Sequence, residues 1–374
     1  MTRSVICGFL RSPFTLAGKG ALARVRPDDM LAQVIKALVE KNKINGADIE
    51  DVIVGCAFPE GEQGLNIARQ VVFLAGLPVT AAGTTVNRFC GSSMEAVHIA
   101  AGKIASGAGE LFICAGVESM TRIPMGGFNP SPNARLYASY PQAYDSMGKT
   151  AETVAKKYGI TRKAQEEFAL SSHKKSAAAN FAEEIVPIVS KNGTVSSDGT
   201  IRADASLEKM ATLAPAFDAN GTVTAATSSP LTDGAVALIV CSEAYADKNK
   251  LPKLAAIKST SVVGVPPEIM GIGPVEATKK ALSRAGLKIS DIDIIELNEA
   301  FAAQSLAVIQ DLGIDTKKLN LEGGAIALGH PLGASGGRIV GKAAQLLKKN
   351  NAKYALATMC IGGGQGIATV LESI

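Results

Sequence analysis

Short apolar runs alternate along this chain with longer segments whose apolar residues recur at helical spacing. The runs are rich in β-branched residues and predict buried strands. They lie at residues 4–9, 51–57, 84–87, 110–116 and 235–241. The segments with helical spacing lie at residues 30–41, 66–75, 150–158 and 161–180. Strands that alternate with helices predict a mainly parallel sheet with helices on both faces.

One predicted helix is too apolar for a protein surface. It follows Cys90, and Met94, Val97 and Ile104 are among its closely spaced apolar residues. A strand leads into Cys90, so the thiol is expected at the start of a buried helix, where free N–H groups and the helix dipole favour a thiolate. A cysteine in this position is equally compatible with a small buried core residue.

The pattern repeats with a constant offset of 243 residues. Residues 48–58 overlie residues 291–301, Cys90 overlies Gly333, and residues 111–116 overlie residues 354–359. One offset across three elements indicates two similar halves that arose by duplication. If the halves pack face to face, their equivalent loops converge.

Between the repeated parts, prolines, glycines and two charged helices interrupt the strand pattern from residue 117 to residue 228. We interpret this stretch as a long inserted loop domain, and such insertions often carry binding surfaces. The expected organisation is therefore a first half at residues 1–116 and 229–262, an insertion at residues 117–228, and a second half at residues 263–374.

The loops of the second half contain reactive side chains. His330 lies within the Gly-rich stretch 323–337, Cys360 precedes a run of glycines, and Asn298 begins another loop. A cysteine nucleophile, a histidine base, a second thiol and backbone donors are the components of acyl transfer. A dinucleotide loop is not indicated, because no GxGxxG motif follows a first strand.

Composition narrows the class of protein. The chain has 374 residues, of which 47% are hydrophobic and 19% charged, and this predicts two or three folded domains. The net charge of +4 does not resemble a nucleic-acid-binding footprint. Six cysteines without zinc-type spacing predict reduced thiols and no metal site. The N-terminal apolar segment is too short for a signal peptide and no run reaches the length of a membrane span, so a cytoplasmic location is expected.

Four motifs together resemble the fingerprints of the thiolase family, in the family's order and at its spacing. They are Asn87-Arg88-Phe89-Cys90-Gly91-Ser92-Ser93, Asn298-Glu299-Ala300-Phe301-Ala302, Gly329-His330-Pro331 and Cys360-Ile361-Gly362-Gly363-Gly364. The resemblance implies an α/β thiolase fold, in which two duplicated, five-stranded mixed-sheet βαβαβαββ halves pack as a layered α/β sandwich, with a loop domain inserted in the first.

The resemblance also implies site residues. Cys90 is the nucleophile that takes the acyl group, His330 the base that activates it, and Cys360 the thiol that exchanges protons with acetyl-CoA and CoA. Asn298 holds a water that forms one oxyanion hole with His330, and the amides of Cys90 and Gly362 form the other.

CoA is the co-substrate that the resemblance implies, with no permanently bound cofactor and no metal. Its pantetheine arm is expected at Ser229 and the acyl end at Met147. The insertion also offers basic side chains for the CoA phosphates, at Arg162, Lys163, Lys174 and Lys175. Of the other two histidines, His98 is expected to be a core residue and His173 to lie on a solvated helix face.

Sequence details favour one branch of the family. Ser146 precedes Met147-Gly148, where biosynthetic acetoacetyl-CoA thiolases have histidine, and this favours a degradative 3-ketoacyl-CoA thiolase of fatty acid β-oxidation. The alternatives are an acetoacetyl-CoA-specific thiolase and a non-catalytic acyl-CoA or lipid binder. The resemblance further implies a homodimer formed near Thr84 or a homotetramer, with a hydratase–dehydrogenase subunit as a possible partner.

Overall fold

The computed structural model describes residues 2–374. The strands are β1 Ser4–Arg11, β2 Thr15–Leu16, β3 Asp51–Gly55, β4 Ala82–Val86, β5 Leu111–Ser119, β6 Ile188–Ser190, β7 Gly193–Val195, β8 Thr232–Ser242, β9 Ala255–Gly264, β10 Ile294–Leu297, β11 Tyr354–Ile361 and β12 Gln365–Glu372. The helices are α1 Pro27–Lys41, α2 Ile67–Leu74, α3 Ser92–Ala105, α4 Ala134–Ser139, α5 Met147–Tyr158, α6 Arg162–Ala178, α7 Leu207–Ala211, α8 Glu243–Lys248, α9 Gly273–Ala285, α10 Ala302–Leu312, α11 Ala325–Leu328 and α12 Leu332–Lys349.

Local sequence signals explain where several helices begin. Pro27 begins α1, and Asp28 and Asp29 lie in its first turn, where they face the positive end of the helix dipole. The Thr161 side chain accepts a hydrogen bond from the Ala164 amide and caps α6. Each predicted strand and helix of the sequence corresponds to one of these elements, with ends that differ by a few residues.

The strands form a mixed sheet in the order β10-β11-β12-β9-β1-β8-β5-β3-β4, and β2 also pairs with β8. Only the β10–β11, β3–β4 and β3–β5 pairs are parallel. The expectation of a mainly parallel sheet is therefore wrong. In each half a later strand pairs antiparallel with one of the parallel strands: β8 pairs with β5 in the first half, and β12 pairs with β11 in the second.

The duplication is visible in the structure at the offset found in the sequence. Asp51 begins β3 and Ile294 begins β10, while Leu111 begins β5 and Tyr354 begins β11. The halves differ at the outer edge. The first half has β4 beside β3, but the second half has a single bridge between Leu319 and Ile295 in the equivalent place, so its fifth strand is almost absent.

The halves stack into five layers. One core cluster packs α1 and α2 against the outer face of the first-half strands, and another packs α9 and α10 against the outer face of the second-half strands. Between the inner faces lie α3 and α12, which share a third cluster with both sets of strands. The two central helices carry the loops of Cys90 and His330 at their N-terminal ends, so this layer brings the reactive groups together.

The halves meet through β1 and β9, which pair at only two positions, Val5 with Ala256 and Ile6 with Ala255. Strand β9 pairs with β12 along most of its length and spans the expected domain boundary at residue 262. The three-part division of the chain stays a prediction.

The insertion packs on this scaffold through buried ion pairs. Arg11 on β1 is fully buried and pairs with Glu184 at 2.6 Å and Asp198 at 2.7 Å. Lys342 on α12 also pairs with Glu184.

Among residues 2–374, every helix is too short or too polar to cross a membrane.

Candidate active site

A tight turn holds Cys90 between β4 and α3. Phe89 has a left-handed backbone with φ of 42°, and its amide donates to Asn87 Oδ1 at 2.8 Å. Ser92 Oγ accepts from the Arg88 amide at 2.9 Å and donates to the Phe89 carbonyl at 2.6 Å. Strain at a non-glycine residue needs such support. These bonds fix the Cys90 side chain two residues before the helix.

The Cys90 thiol is buried, with 9% of the residue exposed. Burial raises its pKa to about 12, although the amides of Gly362 and of Cys90 itself oppose the shift. The backbone amides favour the thiolate, whereas desolvation opposes it more strongly. A base must take the proton for Cys90 to act as a nucleophile.

His330 lies in the turn between α11 and α12. Gly329 has a φ of 95°, and a Cβ there would collide with the side chain of Thr232. Thr232 Oγ1 instead accepts from the His330 amide at 3.1 Å. On the ring, Nδ1 lies 2.6 Å from Ser335 Oγ, and this hydroxyl donates to the Pro331 carbonyl at 3.0 Å.

These contacts select one form of the imidazole. The Ser335 hydroxyl has one hydrogen, and donation to Pro331 leaves Oγ to accept from Nδ1–H. The lone pair of His330 is then on Nε2, which lies 3.4 Å from Asn298 Nδ2. Burial lowers the pKa of His330 to about 3, and the positive charge of Arg338 lowers it further. His330 is thus a neutral imidazole with Nε2 available as a base.

The second thiol is at the end of β11. Cys360 is 1% exposed, and burial, followed by the neighbouring Cys90 thiol, raises its pKa. The chain then turns through Gly363 and Gly364, whose φ angles are 79° and 83°. This turn directs the Gly362 amide at the Cys90 thiol, so the second half supplies both a thiol and a backbone donor to the first-half cysteine.

Asn298 follows β10 and is fully buried. Its amide donates to the Thr358 carbonyl at 3.1 Å, and Nδ2 contacts His330 Nε2. Its Oδ1 atom has no hydrogen-bond partner among residues 2–374. A buried acceptor of this kind is normally satisfied by a bound water or ligand, and Asn298 can therefore hold a polar group beside His330.

Two buried carboxylates that sequence reasoning missed hold these loops. Glu118 is the second-last residue of β5. Its carboxylate accepts hydrogen bonds from the Ala57 amide at 2.8 Å, from Gln63 Nε2 at 2.7 Å and from the Gly333 amide at 2.9 Å. It therefore joins a first-half loop to the first turn of α12. The sequence analysis placed Glu118 at the start of the insertion, whereas it belongs to β5, and gave no sign of these partners.

Glu299 performs a similar role between the insertion and the second half. It accepts from Ser172 Oγ at 2.6 Å, from Asn320 Nδ2 at 2.8 Å and from the Ile326 amide at 3.2 Å. In the sequence, the only indication of this role was that Glu299 directly follows Asn298 in the motif Asn298-Glu299-Ala300-Phe301-Ala302. The carboxylate fixes the Asn298 loop against the loop that leads to His330.

Met147 and Ser229 contact different loops of this centre. Met147 begins α5 and packs in a cluster with Cys360, and its sulfur lies 3.4 Å from where a Cβ on Gly362 would be. The Ser229 amide donates to the Ala300 carbonyl at 2.9 Å, which places it beside the loop that follows Asn298.

A cavity of about 270 Å³ is lined by the neighbours of Ser229 in the sequence, Ser228 and Pro230, but not by Ser229 itself. Its lining includes Ser228 and Pro230 together with Arg202, Lys209 and Met210 of the insertion. The cationic groups at the cavity are therefore Arg202 and Lys209, which sequence reasoning did not single out.

The basic residues that the sequence offered lie elsewhere. Arg162 pairs with Glu166 and donates to carbonyls around α7, and Lys175 donates to the Leu319 carbonyl at 2.8 Å. Lys163 and Lys174 are also outside the cavity lining. The sequence predicted positive charge on these helices but did not show which way each side chain points.

The other two histidines, His173 and His98, differ in how deeply they are buried and in their hydrogen-bond partners. His173 is 5% exposed and accepts from the Arg202 amide at 3.2 Å, so the expectation of a solvated helix face is wrong. Burial, and then Arg202, lower its pKa to about 4. His98 is hydrogen-bonded as expected, with its Nε2 2.7 Å from Thr369 Oγ1, but it is half-buried and does not belong to the core.

The remaining cysteines are buried and unbridged, as expected: Cys7, Cys56, Cys114 and Cys241. Residues 2–374 contain no group of three or more His, Cys, Asp or Glu side chains suited to a metal ion.

Known proteins resemble this chain over its whole length. The family descriptions "Thiolase, N-terminal domain" and "Thiolase, C-terminal domain" match residues 4–244 and 251–373. Over 389 aligned residues that cover all of both chains, the protein shares 45% identity with a 3-ketoacyl-CoA thiolase of Bacillus subtilis and 49% with one of Shewanella loihica. Its fold is similar to that of the Bacillus anthracis acetyl-CoA acetyltransferase, with a TM-score of 0.92 and 36% identity over 100% of this chain and 99% of that chain.

Proposed function

This chain belongs to the thiolase family, and from that premise we propose that it cleaves 3-ketoacyl-CoA with CoA. The products are acetyl-CoA and an acyl-CoA shortened by two carbons, the reaction is reversible, and its metabolic setting is fatty acid β-oxidation. The observation that carries the proposal is that the Cys90 thiol lies beside the Cys360 thiol and the Gly362 amide, in the same core cluster as Leu332, two residues after His330. The full-length relatives named 3-ketoacyl-CoA thiolase support this substrate class.

In the first half of the reaction, His330 Nε2 takes the proton of the Cys90 thiol. The thiolate attacks the ketone carbon, and the bond between that carbon and C2 breaks. The electron pair forms a thioester enolate, which takes a proton from Cys360 at C2 and leaves as acetyl-CoA. The acyl group remains on Cys90 as a thioester.

In the second half, the Cys360 thiolate takes the proton of an incoming CoA thiol. The CoA thiolate attacks the acyl-Cys90 carbonyl, and the C–S bond to Cys90 breaks. Cys90 leaves as a thiolate and recovers its proton from His330. Two thiols and one imidazole therefore move every proton.

Two sets of donors stabilise the negative oxygens. The neutral form of His330 explains the first, because the Nε2 that accepts the Cys90 proton becomes a donor to the enolate oxygen, beside a water held by Asn298. The amides of Cys90 and Gly362 serve the tetrahedral intermediate. One such donor contributes about 3 kcal/mol in enzymes where it has been removed.

In this proposal the insertion supplies part of the CoA-binding site. We assign the cavity beside Ser229 to the pantetheine arm, because Ser228–Pro230 run from this cavity to the backbone of Ala300. Arg202 and Lys209 offer positive charge to the phosphates. We assign Met147, which lies beside Gly362 and packs in the cluster of Cys360, to the acyl end of the substrate. CoA is a co-substrate, and the steps above need no permanently bound group.

Cleavage rates with 3-ketoacyl-CoAs of increasing chain length test the function directly. We expect CoA-dependent cleavage of substrates longer than acetoacetyl-CoA. Activity confined to acetoacetyl-CoA would instead identify the acetoacetyl-CoA-specific alternative. Tight acyl-CoA binding without turnover, by a protein whose Cys90 peptide is intact, would identify a non-catalytic binder.

A further inference from the structure

A charged pair lies behind the contact between Asn298 and His330. Along β10, Ile294 belongs to the inner core, whereas Ile295 and Leu297 belong to the outer one. Because strand side chains alternate between faces, Glu296 and Asn298 also point inward, toward α12.

Two polar contacts therefore stack between β10 and α12. Asn298 Nδ2 lies 3.4 Å from His330 Nε2, and Glu296 Oε2 lies 3.4 Å from Arg338 Nη1. Glu296 and Asn298 are two residues apart along the strand, so their Cα atoms are about 7 Å apart. Arg338 also follows Ser335, the partner of His330 Nδ1, by one helical turn.

The pair is buried but incompletely matched. Glu296 is fully buried and Arg338 is 1% exposed. Arg338 Nε and Nη2 and Glu296 Oε1 have no hydrogen-bond partner among residues 2–374. Bound water can serve two donors and one acceptor. A pair with such unmatched atoms contributes little to stability compared with apolar residues of similar size, and this points to a different role.

The other charged groups around this layer are engaged with their own partners. Lys342 pairs with Glu184 and Glu322, while Glu299 and Glu118 accept the hydrogen bonds described above. The positive charge of Arg338 is the one that lowers the pKa of His330 beyond the effect of burial.

We propose that Arg338, paired with Glu296, is a positioning residue that holds the His330 imidazole in place and uncharged until substrate binds. This inference rests on the proposed roles of Cys90 and His330. A cation near His330 disfavours transfer of the Cys90 proton to the ring in the free enzyme, so no thiolate–imidazolium pair accumulates. The developing enolate supplies the compensating negative charge during catalysis.

Alkylation of Cys90 by iodoacetamide at neutral pH, without any CoA compound, tests the inference. Arg338→Met removes the charge and is expected to accelerate alkylation about tenfold, equivalent to a rise of about one unit in the pKa of His330, while kcat for thiolysis falls. Arg338→Lys keeps the charge and is expected to alkylate at nearly the parent rate. Glu296→Gln leaves the cation uncompensated and is expected to slow alkylation.

The control separates electrostatics from loosened packing. In a His330→Asn background the acceleration by Arg338→Met is expected to vanish, because no imidazole remains to take the proton. Acceleration that persists there, or an unchanged or slower rate in Arg338→Met, would overturn the proposal.

Where Arg338→Met does not fold, the uncharged pair Arg338→Met/Glu296→Gln provides the comparison, and a smaller acceleration is expected because the Glu296 carboxylate is removed as well. Mass spectrometry of the Cys90 peptide reports the rate, and thermal unfolding verifies the fold. A parent enzyme that cleaved no 3-ketoacyl-CoA would refute the proposed function but leave this comparison readable.

Discussion

Single side chains decide the protonation of this centre. The motifs of the sequence predicted Cys90, His330, Cys360 and Asn298, because each belongs to a short, recognisable segment. Ser335 was not predicted, since its part depends on one turn of helix that returns its hydroxyl to the ring of His330. Pairings of this kind follow from three-dimensional packing, which a local pattern does not contain.

The nucleophile can be identified by a covalent adduct. Incubation with a 3-ketoacyl-CoA in the absence of CoA is expected to add the acyl mass to the Cys90 peptide. Cys90→Ala is expected to lose the adduct and to reduce turnover by more than about a thousandfold. Cys114→Ala, which changes a buried cysteine of the core, serves as the control. An adduct on Cys360 instead would exchange the two roles.

The tautomer of His330 can be tested through Ser335. Ser335→Ala removes the acceptor that holds the hydrogen on Nδ1, so part of the imidazole no longer presents a basic Nε2. We expect kcat to fall about a hundredfold with little change in KM for CoA, measured by steady-state thiolysis. Ser261→Ala, which removes a buried hydroxyl on β9, is expected to keep the parent kcat. Equal effects of the two substitutions would argue against this role.

At the scale of elements, the reactive groups occur at corresponding ends of duplicated strands and helices. The constant offset predicted that β3, α3 and β5 correspond to β10, α12 and β11, and the structure agrees. The sequence did not reveal that the second half reduces its outermost strand to one bridge at Leu319, because the duplicated pattern is weakest at that edge. It also did not reveal the antiparallel return strands, because strand direction leaves no trace in apolar periodicity.

Glu118 joins elements of the two halves, and its substitution should be costly. In Glu118→Gln an NH₂ group replaces one acceptor oxygen opposite the amides of Ala57 and Gly333. We expect the free energy of unfolding to fall by about 2 kcal/mol, measured by chemical denaturation. Glu276→Gln, on the exposed face of α9, is expected to change it by less than about 0.5 kcal/mol. Similar losses in both variants would contradict this account.

The segment that contains Ser229 should control access of CoA. Ser229→Trp places a bulky ring beside the proposed pantetheine path, and we expect KM for CoA to rise about tenfold, a change of about 1.4 kcal/mol. The matched control is Ser190→Trp on β6, outside the cavity. An unchanged KM in Ser229→Trp would require the path to run elsewhere.

At the scale of the whole molecule, one edge of the sheet is exposed. Strand β4 forms that edge, and nearby Leu65 is 91% exposed, Val79 71% and Phe73 52%. Apolar side chains beside an open strand edge favour association with another chain.

We therefore expect a dimer, or a tetramer made of two dimers, by sedimentation at micromolar concentration. Leu65→Glu/Phe73→Glu is expected to yield monomers, because charge would be buried at the shared edge. Val189→Glu, at another exposed apolar position, is expected to leave association intact. A parent protein that sediments as a monomer would contradict this expectation.

The central layer has a consequence for synthesis on the ribosome. Met94, Val97 and Ile104 of α3 are covered by α12, which is among the last elements of the chain to be made. While translation proceeds, the face of α3 that packs on α12 therefore stays uncovered, although first-half strands can already pack on the rest of the helix. Chaperone binding to that face, released when α12 emerges, would protect the newborn chain from aggregation during this interval.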